Sequence, residues 1–79
     1  MRLGRILEAV LDLMKDGQWR TLYQVRQAIY GRSNVESTEA GISARLRDLR
    51  KPQHGGHTVE VERVPETSGL WRYRVVVSA

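Results

Sequence analysis

Eleven arginines against two lysines carry the positive charge of this 79-residue chain, whose net charge is +4 and whose pI is about 10.1. The choice of cation defines the available chemistry. A guanidinium is planar and always charged, and its donor fork matches a phosphate or the outer edge of guanine better than a lysine ammonium does. The charge is uneven along the chain. Residues 1–17 balance three cations with three anions, whereas residues 18–37 and 38–51 each sum to +2. The densest run is Ile42-Ser43-Ala44-Arg45-Leu46-Arg47-Asp48-Leu49-Arg50-Lys51. At about 100° per residue, Ile42, Leu46 and Leu49 share one helix face. Ala40, Ala44, Arg47 and Lys51 lie opposite, with Ser43, Arg45, Asp48 and Arg50 on the flanks. Small side chains beside arginines suit close approach to a nucleic-acid groove, where alanine can touch thymine methyls and arginine can reach guanine or phosphate. The plainer alternative is a solvated helix face, because alanine and arginine are both good helix formers.

A second group of cations follows. Arg72 and Arg74 alternate with apolar residues over 70–77, and Arg63 precedes the turn-forming cluster 65–69. Such arginines can contact phosphate or a minor groove, or they can keep an exposed sheet soluble. Glu60 and Glu62 on a facing strand can pair with them. That pairing suits Arg74 and leaves Arg63 and Arg72, nearer the loop, as the anion-binding candidates. His54-Gly55-Gly56-His57 offers two imidazoles and no third ligand nearby, so it reads as a polar turn and not as a metal site. Trp19, Trp71 and Tyr73 could stack on bases, but alternation within strands assigns them to a core. Tyr23 and Tyr30 have room to be exposed on a helix. There is no cysteine nucleophile, no glycine-rich phosphate loop and no pair of carboxylates with a pocket to occupy. The chain reads as a non-enzyme with no cofactor and no small-molecule ligand.

Positioning these residues requires a small set of elements. Leu3, Ile6, Leu7, Val10, Leu13 and Met14 recur at spacings of three and four, which predicts a helix over 2–16 stopped by Gly17. Leu11 widens its apolar stripe, which suits a central core helix or one whose edge forms a dimer seam. Thr21 with Gln24 forms a capping box for a second helix over 22–30, with Leu22, Val25, Ala28 and Ile29 inward and Gly31 as its stop. Ser33 and Ser37 both offer caps for a third helix. Ser37 is preferred, giving a helix over 38–50 that ends because Pro52 disfavours helical geometry at Lys51. Residues 57–64 and 70–77 alternate and predict a hairpin. Its apolar face, Val59, Val61, Trp71, Tyr73 and Val75, lies over the helices, and the Trp19 segment adds a short third strand. The result is one α+β domain spanning 1–79. Residues 1–11 mix charge with apolar residues, so neither a leader nor a membrane span is expected. With the lack of cysteine, that suits a cytoplasmic protein.

The order helix, short strand, helix, helix, strand, strand resembles a winged helix-turn-helix domain. The residues that carry the likeness are Ser43-x-x-Leu46-x-x-Leu49 followed by Arg50-Lys51, and the string through Pro52 and Gly55-Gly56-His57-Thr58-Val59. It is similar to small winged-helix proteins encoded by phages and prophages, and the likeness covers nearly the whole chain. Two features depart from it: the long 31–37 loop, and Glu36 and Glu39 near the start of the third helix, where they would repel phosphate. The resemblance implies a sequence-specific double-stranded DNA-binding protein, a small transcriptional regulator, with helix 38–50 in the major groove and the 64–70 wing on the flank. Carried onto this sequence, the contacts would fall on Ser37, Thr38, Ala40, Ser43, Ala44, Arg45, Arg47 and Lys51, with Arg63 and Arg72 on the wing. Arg20, Arg26 or Arg32 would brace the second helix against the backbone. One such module offers about 600–1,000 Å² of contact, so a homodimer or a second DNA-bound protein is expected to extend it. Four to five phosphate contacts give a salt slope near −4, at about 0.9 per phosphate. The competing reading is a winged-helix protein-interaction module, such as a host-directed phage inhibitor, which Glu36 and Glu39 favour; RNA binding through the same basic face ranks below both.

Overall fold

A computed structural model describes residues 3–67 and 69–77. Arg2, the expected first residue of the first helix, and Ser68 of the turn cluster lie outside the described residues. The chain is α+β: three helices pack on one face of a three-stranded antiparallel sheet. Helix α1, Leu3–Met14, buries Val10, Leu13 and Met14 completely or nearly so. Ile6, Leu7, Ala9 and Leu11 pack partly buried against the same core. Among the described residues none of the large exposed apolar side chains lies on α1. Gly17 adopts a left-handed φ of 77° just after the helix, as its stop requires.

Strand β1, Arg20–Thr21, leads directly into helix α2, Leu22–Ser33. The capping box forms as expected: the Gln24 N–H donates to Thr21 Oγ1 at 3.1 Å, and the Thr21 N–H donates to Gln24 Oε1 at 2.9 Å. Gly31, however, does not end the helix. It lies inside α2, and Asn34 takes the left-handed position at φ 55°. The Asn34 N–H donates to the Tyr30 carbonyl and the Val35 N–H to that of Ile29, which closes the helix end. Asparagine tolerates this conformation, and burial of Val35 at 6 % exposure rewards it. The loop after α2 therefore contributes a core residue.

Helix α3, Glu39–Asp48, is capped by Thr38 and not by Ser37: Thr38 Oγ1 accepts the Gly41 N–H at 3.0 Å. Ser37 is held elsewhere, because its carbonyl accepts Arg26 Nε–H from α2 at 3.0 Å. Ile42, Leu46 and Leu49 are each buried to 2 % exposure or less, as their spacing predicts. Lys51 is extended, with φ −76° and ψ 142°, before Pro52 and a single 3-10 turn over Pro52–His54. Gly55 follows at φ 104°, against the His57 ring, and that backbone angle favours glycine.

Strands β2, Thr58–Arg63, and β3, Trp71–Val76, form the hairpin, and β1 pairs on the other side of β3. The register sets Val59 opposite Val75, Val61 opposite Tyr73 and Arg63 opposite Trp71. Val59 and Val75 are buried, but Val61 is 43 % and Trp71 47 % exposed. These two were expected to cover the helices. The hairpin is longer than the core beneath it, so its inner face runs out past the helical layer.

Candidate nucleic-acid interface

Ion pairing decides which cations are available. On α1 and before α2, Asp12 takes Lys15 at 3.0 Å and Arg32 at 3.2 Å, and Asp16 takes Arg20 at 2.9 Å. The Arg20 guanidinium, together with the Gln18 N–H, holds the Asp16 carboxyl down at a pKa of about 2. Arg20 also reaches the Leu13 carbonyl at 3.4 Å, so it closes the end of α1. Of the arginines expected to brace α2, only Arg26 is not paired with a carboxylate. Arg26 shares the wall of a surface hollow with Glu36, and Arg5 lines two others with Glu8, Asp12 and Glu36.

The C-terminal end of α3 and the outer face of the sheet are neutralised in the same way. Asp48 Oδ1 binds Lys51 Nζ at 3.1 Å, and its Oδ2 binds Arg45 Nε at 2.9 Å. The Lys51 hydrogen bond foremost, and Arg45 with it, hold the Asp48 carboxyl below the ordinary carboxylate range. Arg45 lies low on the helix flank, with its side chain 17 % exposed. On the sheet, Glu60 Oε1 accepts Arg74 Nε–H at 2.6 Å, and Glu62 binds Arg72. Both guanidinium groups stack on the Trp19 ring, 4.9 Å (Arg74) and 5.3 Å (Arg72) from its centroid. The alternation of β3 puts this ladder on the face turned away from Val59, Val75 and the helices. Arg72 therefore shares the fate expected for Arg74 alone.

Among the described residues Arg5, Arg26, Arg47, Arg50 and Arg63 have no ion pair, and Arg5 and Arg26 share their hollows with carboxylates. Arg47, Arg50 and Arg63 are exposed. The side chains of Arg47 and Arg63 make no hydrogen bond or ion pair. Arg50 donates from Nη2 to the Val59 carbonyl at 2.8 Å, which ties α3 to the base of the hairpin. Arg47 and Arg50 wall a cleft of about 150 Å³ with Ser43, Leu46, Val59, Val61 and Tyr73, and no carboxylate lines it. Arg63 stands farther along the same sheet face, beside Trp71. The cleft joins α3 to the inner face of the hairpin and is the place where uncompensated positive charge collects.

The other expected contact residues fall as follows. Ala40 is exposed, and Ser43 and Ala44 are half-buried on α3. Thr38 is exposed, with its hydroxyl engaged in capping. The Ser37 hydroxyl is buried with no hydrogen-bond partner, which takes it off the surface. Sequence reasoning passed over Arg50, whose i+7 and i+4 relations to Ser43 and Leu46 already placed it beside that face, and left Val61 and Trp71 to the core. No protein family, curated protein or solved structure shows significant similarity to this chain.

Proposed function

We propose that this chain is a winged helix-turn-helix protein that binds double-stranded DNA sequence-specifically and acts as a small transcriptional regulator of phage or prophage type. The observation that carries the reading is the charge distribution. Seven of its cations, Lys15, Arg20, Arg32, Arg45, Lys51, Arg72 and Arg74, are paired with carboxylates. Of the others among the described residues, Arg5 and Arg26 share hollows with carboxylates, whereas Arg47 and Arg50 wall a carboxylate-free cleft where α3 meets the hairpin, with Arg63 farther along that sheet face. Three helices with a three-stranded antiparallel sheet are compatible with such a fold.

In this reading α3 lies in a major groove, which is about 12 Å wide and admits one helix. Ala40 and Ala44 permit close approach, and Arg47 reads a guanine edge. Arg50 and Arg63 meet phosphate, with the β2–β3 hairpin acting as the wing. Arg45, Lys51 and Arg72 hold the scaffold instead of the ligand. Exposed Tyr23 and Tyr30 on α2 favour a second reading as a protein-interaction module, because tyrosine is enriched at such surfaces. Enrichment of bound duplexes from a random pool tests the choice. A recovered consensus supports DNA reading, and Arg47→Ala should cost about 1–3 kcal/mol on that site and relax preference at one base pair. No binding to any duplex at low salt would transfer the case to the protein partner.

A further inference from the structure

We infer that the overhanging end of the hairpin is an aromatic wedge: Trp71, with Val61 diagonal to it on the same sheet face, packs against a base at an unstacked step of the bound DNA. The inference rests on the DNA-binding reading and goes beyond it. Trp71 and Val61 are 47 and 43 % exposed, and the register makes them diagonal neighbours on one face of the hairpin. Solvent exposure of a tryptophan beside a valine is costly, since each Å² of apolar surface left in water forgoes roughly 25 cal/mol. The neighbouring Trp19 is treated differently by the same sheet. It lies half-buried under the guanidinium groups of Arg72 and Arg74, which cover its ring.

The chemistry around Trp71 selects its occupant. Arg63 stands directly across the ladder from it, and Arg47 and Arg50 wall the cleft that continues along the same face. A second copy of this chain would bring like charges together there. An anionic ligand with flat apolar surfaces meets both features, and a nucleic acid supplies phosphate for the arginines and a base face for the indole. Apolar side chains inserted at a base step partly unstack it, and the step that is easiest to open is the one bound best.

The test compares a fully paired duplex with the same duplex carrying one central mismatch, each at 50 mM salt. Wild-type protein is expected to prefer the mismatched duplex, and its tryptophan emission should be quenched on binding. Trp71→Ala should lose about tenfold in affinity, within the range for removal of a base-stacking aromatic, with its salt slope unchanged because no charge is lost. Trp71→Phe keeps a stacking ring, and should retain affinity within about threefold and show no quenching. Thermal melts report whether the variants fold, and wild-type quenching stands whatever they do. Equal wild-type affinity for both duplexes, quenching undiminished in Trp71→Phe, or a wild-type dimer that Trp71→Ala makes monomeric would each overturn the wedge while leaving DNA binding intact. Failure of the wild type to bind either duplex would instead remove the DNA reading and the wedge with it.

Discussion

Replacing Asp48 by asparagine should make DNA binding stronger at low salt and more sensitive to salt. Asp48 occupies two cations at once, Arg45 at 2.9 Å and Lys51 at 3.1 Å. The amide keeps the shape and removes the charge. Asp48 also lies in the last turn of α3, where a negative charge opposes the helix dipole, so the fold gains there part of what it loses in pairing. Counting Arg50 and Arg63 as the phosphate partners, with Arg47 on a guanine edge, the wild-type slope of log affinity against log salt is about −1.8, at roughly 0.9 per phosphate. The slope near −4 expected from residue types alone counts Arg45, Lys51 and Arg72, which carboxylates hold. Releasing Lys51, which is 52 % exposed, adds about −0.9, and releasing Arg45 as well adds about −1.8. Between 50 and 200 mM salt the wild type should then lose about 12-fold in affinity, and Asp48→Asn up to about 150-fold. Arg63→Ala should lose only about 3.5-fold over the same range, and Arg72→Ala should match the wild type. Fluorescence anisotropy of a labelled duplex at several salt concentrations measures all four slopes. A slope for Asp48→Asn equal to the wild type's, or flattening by Arg72→Ala as large as that by Arg63→Ala, would refute the assignment of free and occupied cations.

Gly31→Ala should raise stability by about 0.5–1 kcal/mol, since the residue is inside α2 and nothing lies within 4 Å of the added methyl; a lower melting temperature would mean that α2 stops there after all. Leu46→Ala and Leu49→Ala should each cost about 2–5 kcal/mol in urea titrations, and exposed Arg47→Ala about 0.5 kcal/mol or less. A comparable loss at Arg47 would show the face of α3 to be misassigned. Asp16 titrates at about 2 in the folded chain against 3.8 unfolded, so its contribution is present above pH 4 and is lost as pH falls from about 4 to 2. The carboxylate is 40 % exposed, which limits this to about 1 kcal/mol or less. Asp16→Asn should accordingly melt lower than wild type at pH 7 and alongside it at pH 2; an equal gap at both would remove the ion pair as the cause.

Local chemistry made much of the fold legible. Thr21 with Gln24, Gly17 and Pro52 each act within a few residues of where they stand, and the elements they bound are present. The periodicity of Ile42, Leu46 and Leu49 identified the buried face of α3 for the same reason. Asp48 three residues from both Arg45 and Lys51 was likewise a readable helical pairing, and alternation on β3 should have given Arg72 and Arg74 one fate. The helix stop at Asn34 was not readable in this way, because it depends on Val35 finding space in a core built by α1, α2 and α3. Nor was the standing of Trp71. Its alternation says only which sheet face it occupies, and whether that face is covered depends on how far the helices extend beneath the hairpin. Residue types and spacing thus determined the elements, their inward faces and the surplus of arginine. Tertiary packing alone decided which arginines stay unneutralised and where the apolar sheet face meets solvent, because both depend on contacts between residues far apart in the chain.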